Sequence, residues 1–214
     1  MEDFIFMKKS LLFKFFLVAI LVCSFSAVFA QDMESDGTNM HDGFYLRFQL
    51  GVGYQSLTYE DFQPGSDLIF SGAAGNFTMQ IGYAVINDLI LFGELSSCVM
   101  TDPTLKLGGS SYDTDDTKVS LVGFGAGLSY YLASNIFFTF SLEATRATLE
   151  VSGSSGSSEY GFGTNVSIGK EWWVSDNWGL GIALVGNYSR MKDKGVDNML
   201  SNIYVGLAFS ATYN

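Results

Sequence analysis

The stretch Phe44-Tyr45-Leu46-Arg47-Phe48-Gln49-Leu50-Gly51-Val52-Gly53-Tyr54 alternates residue by residue. Phe44, Leu46, Phe48, Leu50, Val52 and Tyr54 share one face, and Tyr45, Arg47, Gln49, Gly51 and Gly53 the other. Side chains of a strand alternate sides with a period of two, so this is a strand with one bulky apolar face and one small or polar face. The same pattern returns downstream. Phe77, Met79, Ile81 and Tyr83 oppose Thr78, Gln80 and Gly82, and Val122, Phe124, Ala126, Leu128 and Tyr130 oppose Gly123, Gly125, Gly127 and Ser129. Further alternating runs cover Leu89–Cys98, Phe138–Ala144, Phe162–Trp172, Trp178–Leu184 and Ile203–Tyr213, although Ile90 and Phe92 blur the first of them. Eight strands are expected, each long enough for a membrane crossing of ~9–11 tilted residues. Nothing between them reads as a helix, and Pro64 and Pro103 fall between strands, where a residue without an N–H belongs.

Alternation alone does not say which face is outside. A water-facing surface is usually ~25–35% charged. The small face here is mostly Gly, Ala, Ser, Thr, Asn and Gln, with Arg47, Glu94, Glu143 and Glu171 as its few charges. That suits the crowded bore of a narrow barrel, and the bulky face suits lipid. Tyr83, Tyr130, Trp172, Trp178 and Tyr213 fall near one set of strand ends, with Phe138 beside them and Tyr54 and Tyr188 towards the other. Such rings of aromatics mark membrane interfaces. The expected fold is all-β, an eight-stranded antiparallel up-and-down transmembrane β-barrel.

Lys8, Lys9 and Lys14 precede or interrupt the apolar run Leu11 to Val22, which is followed by Ser24-Phe25-Ser26-Ala27-Val28-Phe29-Ala30. A charged start, a short apolar core and small residues one and three places before the cut form a secretory signal. Residues 1–30 are read as a signal peptide, 31–42 as a polar periplasmic lead-in and 43–214 as the barrel. Met7 is an alternative start to Met1. The mature chain then has 8 basic and 20 acidic residues, all 24 glycines, and Cys98 as its single cysteine, which excludes an intrachain disulfide. Acids outnumber bases by 22 to 11 in the full chain, which argues against nucleic acid as a partner. Three connections are tight: Ile86-Asn87-Asp88, Ala133-Ser134-Asn135 and Ser175-Asp176-Asn177. The others, about 57–76, 101–117, 151–160 and 191–202, are long. Short turns face the periplasm and long loops the outside, so both ends of the barrel domain lie in the periplasm.

The stretch Gly169-Lys170-Glu171-Trp172-Trp173-Val174-Ser175-Asp176-Asn177-Trp178-Gly179-Leu180-Gly181 and the segment Phe209-Ser210-Ala211-Thr212-Tyr213-Asn214 resemble the small outer-membrane β-barrel family that includes the OmpA transmembrane domain, OmpX/Ail and OmpW. The resemblance implies a bacterial outer-membrane location, a monomer surrounded by outer-membrane lipid and lipopolysaccharide, and insertion by the barrel assembly machinery. Members usually finish on an aromatic residue, whereas here Asn214 follows Tyr213.

Chemistry is sparse. Resemblance to the enzymes among small barrels, notably lipid A acyltransferases and deacylases, would call for a His with a Ser and an acid near the outer rim. The single histidine, His41, precedes the first strand and is expected as an exposed tail residue, so no enzyme, catalytic residue or cofactor is expected. Asp113, Asp115 and Asp116 could present oxygens to a hard cation, but the spacing of a calcium loop is missing, and no metal site is assigned. Arg47, Glu94, Glu143 and Glu171 are expected as an interior polar network, with Arg47 paired to at least one of the three acids, Glu94 or Glu143 before Glu171, because a buried carboxylate without a partner is costly. Inward glycines are expected to make room for Tyr45, Tyr131 and Tyr204, with Cys98 a small wall residue. Lys170 and Arg146 fall on the outward face near strand ends and should snorkel. Three roles follow: a structural or surface-interaction barrel with acidic extracellular loops, a narrow OmpW-like conduit for small or hydrophobic solutes, or a soluble secreted barrel for a lipophile.

Overall fold

In the computed structural model, residues 40–132, 134–195 and 198–214 are described. The segment read as a signal peptide (1–30) and residues 31–39 of the expected lead-in lie outside them. The strands in chain order are β1 (Phe44–Gln63), β2 (Ser66–Ile86), β3 (Leu89–Thr101), β4 (Thr104–Leu107), β5 (Ser110–Asp113), β6 (Thr117–Tyr131), β7 (Ile136–Val151), β8 (Ser154–Ser157), β9 (Gly161–Trp173), β10 (Trp178–Lys192) and β11 (Met199–Tyr213). Eight of them form a ring in which every pair is antiparallel. β1 pairs with both β2 and β11, and β3, β6, β7, β9 and β10 fill the circuit, so no barrel edge is left unpaired. β4, β5 and β8 are short outgrowths: β4 pairs β2 and β5, and β8 pairs β7.

The ladder also gives the stagger. From Arg47 the paired residues run Gln80, Glu94, Gly125, Glu143, Gly163, Ser189 and Asn202, and return to β1 at Leu57, ten residues above the start. Eight strands with that shear tilt by roughly 40° and close at a radius of about 8 Å, given standard strand spacing and rise. Such a bore is just wide enough to be filled by side chains.

Parity holds along the barrel strands except near the ends of β2, where Phe70 and Ser71 are both buried and Val85 and Ile86, at a register shift, are both exposed. Leu50, Val52, Phe124, Phe140, Ile182 and Leu207 point outward, with Val52 73% and Leu207 67% exposed, while Tyr45, Arg47, Gln49, Tyr131 and Tyr204 are buried in the bore. Ile90 and Phe92, which break the sequence pattern, are inward residues. An apolar belt around a whole molecule far exceeds the ~300–600 Å² patch of a water-soluble monomer. The belt is a lipid-facing surface. Tyr83, Tyr130 and Trp172 stand exposed at its short-turn end, where Trp178 packs edge-on to Tyr213 at 5.5 Å. Lys170 lies 5.9 Å from the Trp172 ring, and Arg146 donates from Nε to the Ser158 carbonyl oxygen. Inward glycines seat large rings: a Cβ at Gly169 would fall 2.5 Å from Phe137 Cζ, and one at Gly53 would fall 2.9 Å from Tyr204 Cε2.

The long connections are mostly strand. β1 and β2 continue past the expected boundaries at Leu57 and Asn76 into one hairpin that turns at Pro64-Gly65, with Gly65 at φ 75°. Asp113 pairs with Thr104 in the β4–β5 hairpin. Strand was underestimated because the polar face turns apolar above Gln55, where Leu57 and Tyr59 hold the inward positions.

Candidate functional site

The lumen brings together nearly every polar residue singled out by the sequence. Arg47 is fully buried near the short-turn end. Its Nη2 lies 3.2 Å from Glu171 Oε1. Nε donates to Thr212 Oγ1 at 3.0 Å, Nη1 to Thr139 Oγ1 at 3.2 Å, and Nη2 to the Tyr131 hydroxyl. The guanidinium carbon sits 3.8 Å over the Phe137 ring. Glu171 accepts in turn from Tyr131 OH (2.8 Å), Ser210 Oγ (3.1 Å) and Thr212 Oγ1 (2.6 Å). Both members of this buried ion pair therefore have further hydrogen-bond partners, the condition for tolerating such a pair away from water.

The partner of Arg47 is thus Glu171, not Glu94 or Glu143. Closure explains the difference. Glu94 and Glu143 lie in the same staggered row as Arg47, climbing away from it around the barrel. The row through Glu171, Gly181 and Ser210 reaches β1 from the other side at Gln49, one inward position from Arg47.

Glu94 anchors a second network. Gln80 Nε2 donates to its Oε2 at 2.5 Å, and Ser141 Oγ (2.5 Å) and Asn165 Nδ2 (2.9 Å) donate to its Oε1. The chain continues from Asn187 to Asn165, from Asn202 to Asn187, from Gln55 to Asn202, and from the Cys98 thiol to Gln55. Cys98 is therefore the upper end of a polar ladder. Glu143 is different. It is 3% exposed, its carboxyl faces Ser96, Glu94 and Asn165, and neither oxygen has a hydrogen-bond partner among the described residues.

Above Cys98 the lumen changes character. Leu57, Phe70, Met100, Val119, Leu121, Met191 and Leu200 fill it as an apolar plug. The sequence reading missed this plug because it assigned most of those positions to loops or strand margins. Extending the period of two beyond Tyr54 would have found Leu57 and Tyr59. The gap bounded by Gln49, Gln80, Glu94, Asn165 and Ser167 is only about 10 Å³, the space of roughly one water.

The short-turn mouth is covered by His41, which is buried rather than an exposed tail residue. Its ring stacks on Tyr131 at 3.4 Å and 16° and lies 5.0 Å from Trp173. Asn214 Nδ2 donates to its Nδ1 at 3.0 Å, and Nε2 lies 3.4 Å from Asn135 Oδ1. The Asp88 amide donates to the His41 carbonyl oxygen. Burial holds the imidazole below its ordinary value, against the raising influence of the Glu171 and Asp88 carboxylates and the Asn135 contact. Asp113, Asp115 and Asp116 do not converge on a common centre with other ligands: among the described residues no group of three or more His, Cys, Asp or Glu could hold a metal ion.

The closed ladder, the outward apolar belt and the aromatic ring decide the architecture. The fold is that of a small outer-membrane β-barrel. No protein-family model and no characterised protein sequence matches the chain. Among solved structures it is similar to the attachment invasion locus protein Ail of Yersinia pestis, with a TM-score of 0.42, 13% identity, and coverage of 79% of this chain and 99% of that one. It is similar to Neisserial surface protein A at a TM-score of 0.46 and 15% identity, covering 76% of this chain and 95% of that one. It is also similar to the outer membrane protease OmpT of Escherichia coli at a TM-score of 0.40 and 9% identity, covering 84% of this chain and 99% of that one. Likenesses this distant carry no role from one barrel to another.

Proposed function

We propose that this chain serves as a sealed, non-enzymatic outer-membrane barrel with a structural or surface-interaction role, presenting acidic hairpins to the outside. The observation that carries this reading is the filled lumen: a hydrogen-bonded polar plug near the short turns and an apolar plug towards the long hairpins. A conduit would need a continuous wetted path, and the polar gap beside Glu94 has room for about one water. The long-hairpin end carries Asp61, Asp67, Asp102, Asp113, Asp115 and Asp116 against Lys106, Lys118 and Lys194, with Glu60 paired to Arg190; this acidic excess favours cationic partners, or anionic groups bridged by divalent ions, such as lipopolysaccharide phosphates. A non-enzymatic role is supported at His41, whose two ring nitrogens face side-chain amides rather than a nucleophile. In this reading the barrel is a monomer, inserted by the assembly machinery and oriented with its short turns in the periplasm. The test is conductance of the purified barrel in a planar bilayer: a flat trace is expected, and reproducible unit steps would replace this reading with the conduit.

A further inference from the structure

His41 lies at the meeting point of the short turns. Its carbonyl oxygen takes the Asp88 amide of the first, and its Nε2 faces Asn135 of the second. Asn214, whose amide donates to the Asn177 carbonyl of the third, holds its Nδ1. The ring rests on Tyr131, whose hydroxyl belongs to the Arg47–Glu171 cluster. One side chain thus ties the segment leading into β1 across the mouth of the barrel.

The contacts select a protonation state. An amide NH2 directed at Nδ1 requires a lone pair there, so the proton of the neutral ring sits on Nε2 and faces Asn135 Oδ1. A second proton on Nδ1 would oppose the Asn214 donor and put a cation in a buried pocket. The charged groups around it are Glu171 on β9, Asp88 in the first turn and Arg47 on β1, with the Tyr131 phenol on β6 beneath the ring. Glu171 and Asp88 favour a charged ring and Arg47 opposes it, and burial outweighs the two carboxylates.

We propose that His41 is a pH-sensitive clasp on this mouth: the neutral imidazole holds residues 40–42 across the opening, and protonation releases them. The sign follows from linkage. The ring binds a proton more weakly clasped than free, so closure is fully present above the ordinary histidine value near 6.5 and weakens as pH falls below it. Weakening stops once the clasped ring itself takes a proton.

The test uses the mature barrel in lipid nanodiscs without a histidine tag, so that the chain's single histidine gives one ring signal. Nuclear magnetic resonance should find the Nε2–H tautomer at neutral pH and a titration midpoint below 6.5. Hydrogen exchange at the Asp88 amide reads the clasp itself. The ratio of its protection in the native chain to that in His41→Gln cancels intrinsic exchange and the titration of Asp88. That ratio should fall by up to about tenfold per pH unit below 6.5 and then level off. Asn214→Asp, which offers Nδ1–H an acceptor, should raise the midpoint and carry the release with it. A midpoint at or above 6.5 in the native chain, or a protection ratio flat through the titration, would overturn the clasp.

Discussion

Near the short turns the lumen is filled by Arg47, Glu171, Tyr131 and Thr212, whose polar atoms bond to one another, and by Glu94, which bonds to Gln80, Ser141 and Asn165. Towards the long hairpins the same bore is filled by Leu57, Met100, Met191 and Leu200, which bond to nothing. Both regions reach near-complete burial on the same eight strands. The difference lies in where specificity comes from. A polar filling fixes its members through directional bonds and is costly when one is missing, whereas an apolar filling gains from area and shape and degrades by degrees. Glu143 lies between the two regimes, buried like the first group and without bonds like the second.

The comparison is broken most severely at Arg47. Arg47→Met leaves Glu171 buried without its counter-charge and should cost about 3–5 kcal/mol, read as a lower urea midpoint for unfolding from lipid. The double variant Arg47→Met with Glu171→Leu should recover most of that loss, because replacing a whole buried pair by apolar groups is often neutral. In the apolar plug, Leu57→Ala should cost about 2–5 kcal/mol in the same assay, through lost burial and a residual cavity. Its loss should not be recovered by any change among the polar residues, since the two fillings share no hydrogen bond. The smallest effect has the opposite sign. Glu143→Gln supplies an N–H donor beside Ser96 and Glu94 and removes an unpaired carboxyl, so it should stabilise by about 1–3 kcal/mol. A destabilised Glu143→Gln would show that this carboxyl has a partner of its own.

The sequence made parity legible, and parity placed Arg47, Glu94, Glu143, Glu171, Tyr45, Tyr131 and Tyr204 inside. It could not set their heights. Heights depend on the shear of the closed ring, and only closure brings Glu171 of β9 round to Arg47 of β1. Residues such as Leu57 and Phe70 were out of reach for another reason. An apolar residue on the inward parity breaks the bulky-outside rule, so the pattern seemed to stop where the strand continued. His41 carries no periodic signal at all, and its burial comes from two turns, Tyr131 and Asn214, far apart in the chain, with the third turn holding Asn214.

Everything above depends on the bulky face meeting acyl chains. Spin labels placed one at a time at Leu50, Leu207 and, for contrast, Ser111 of the β4–β5 hairpin, in a Cys98→Ser background, test that directly in a reconstituted bilayer. Labels at Leu50 and Leu207 should collide with dissolved oxygen and be shielded from a water-soluble nickel chelate, while the label at Ser111 should meet the chelate freely. Free access of the chelate to Leu50 and Leu207 would mean that the apolar belt faces water, and the barrel would not be a membrane protein.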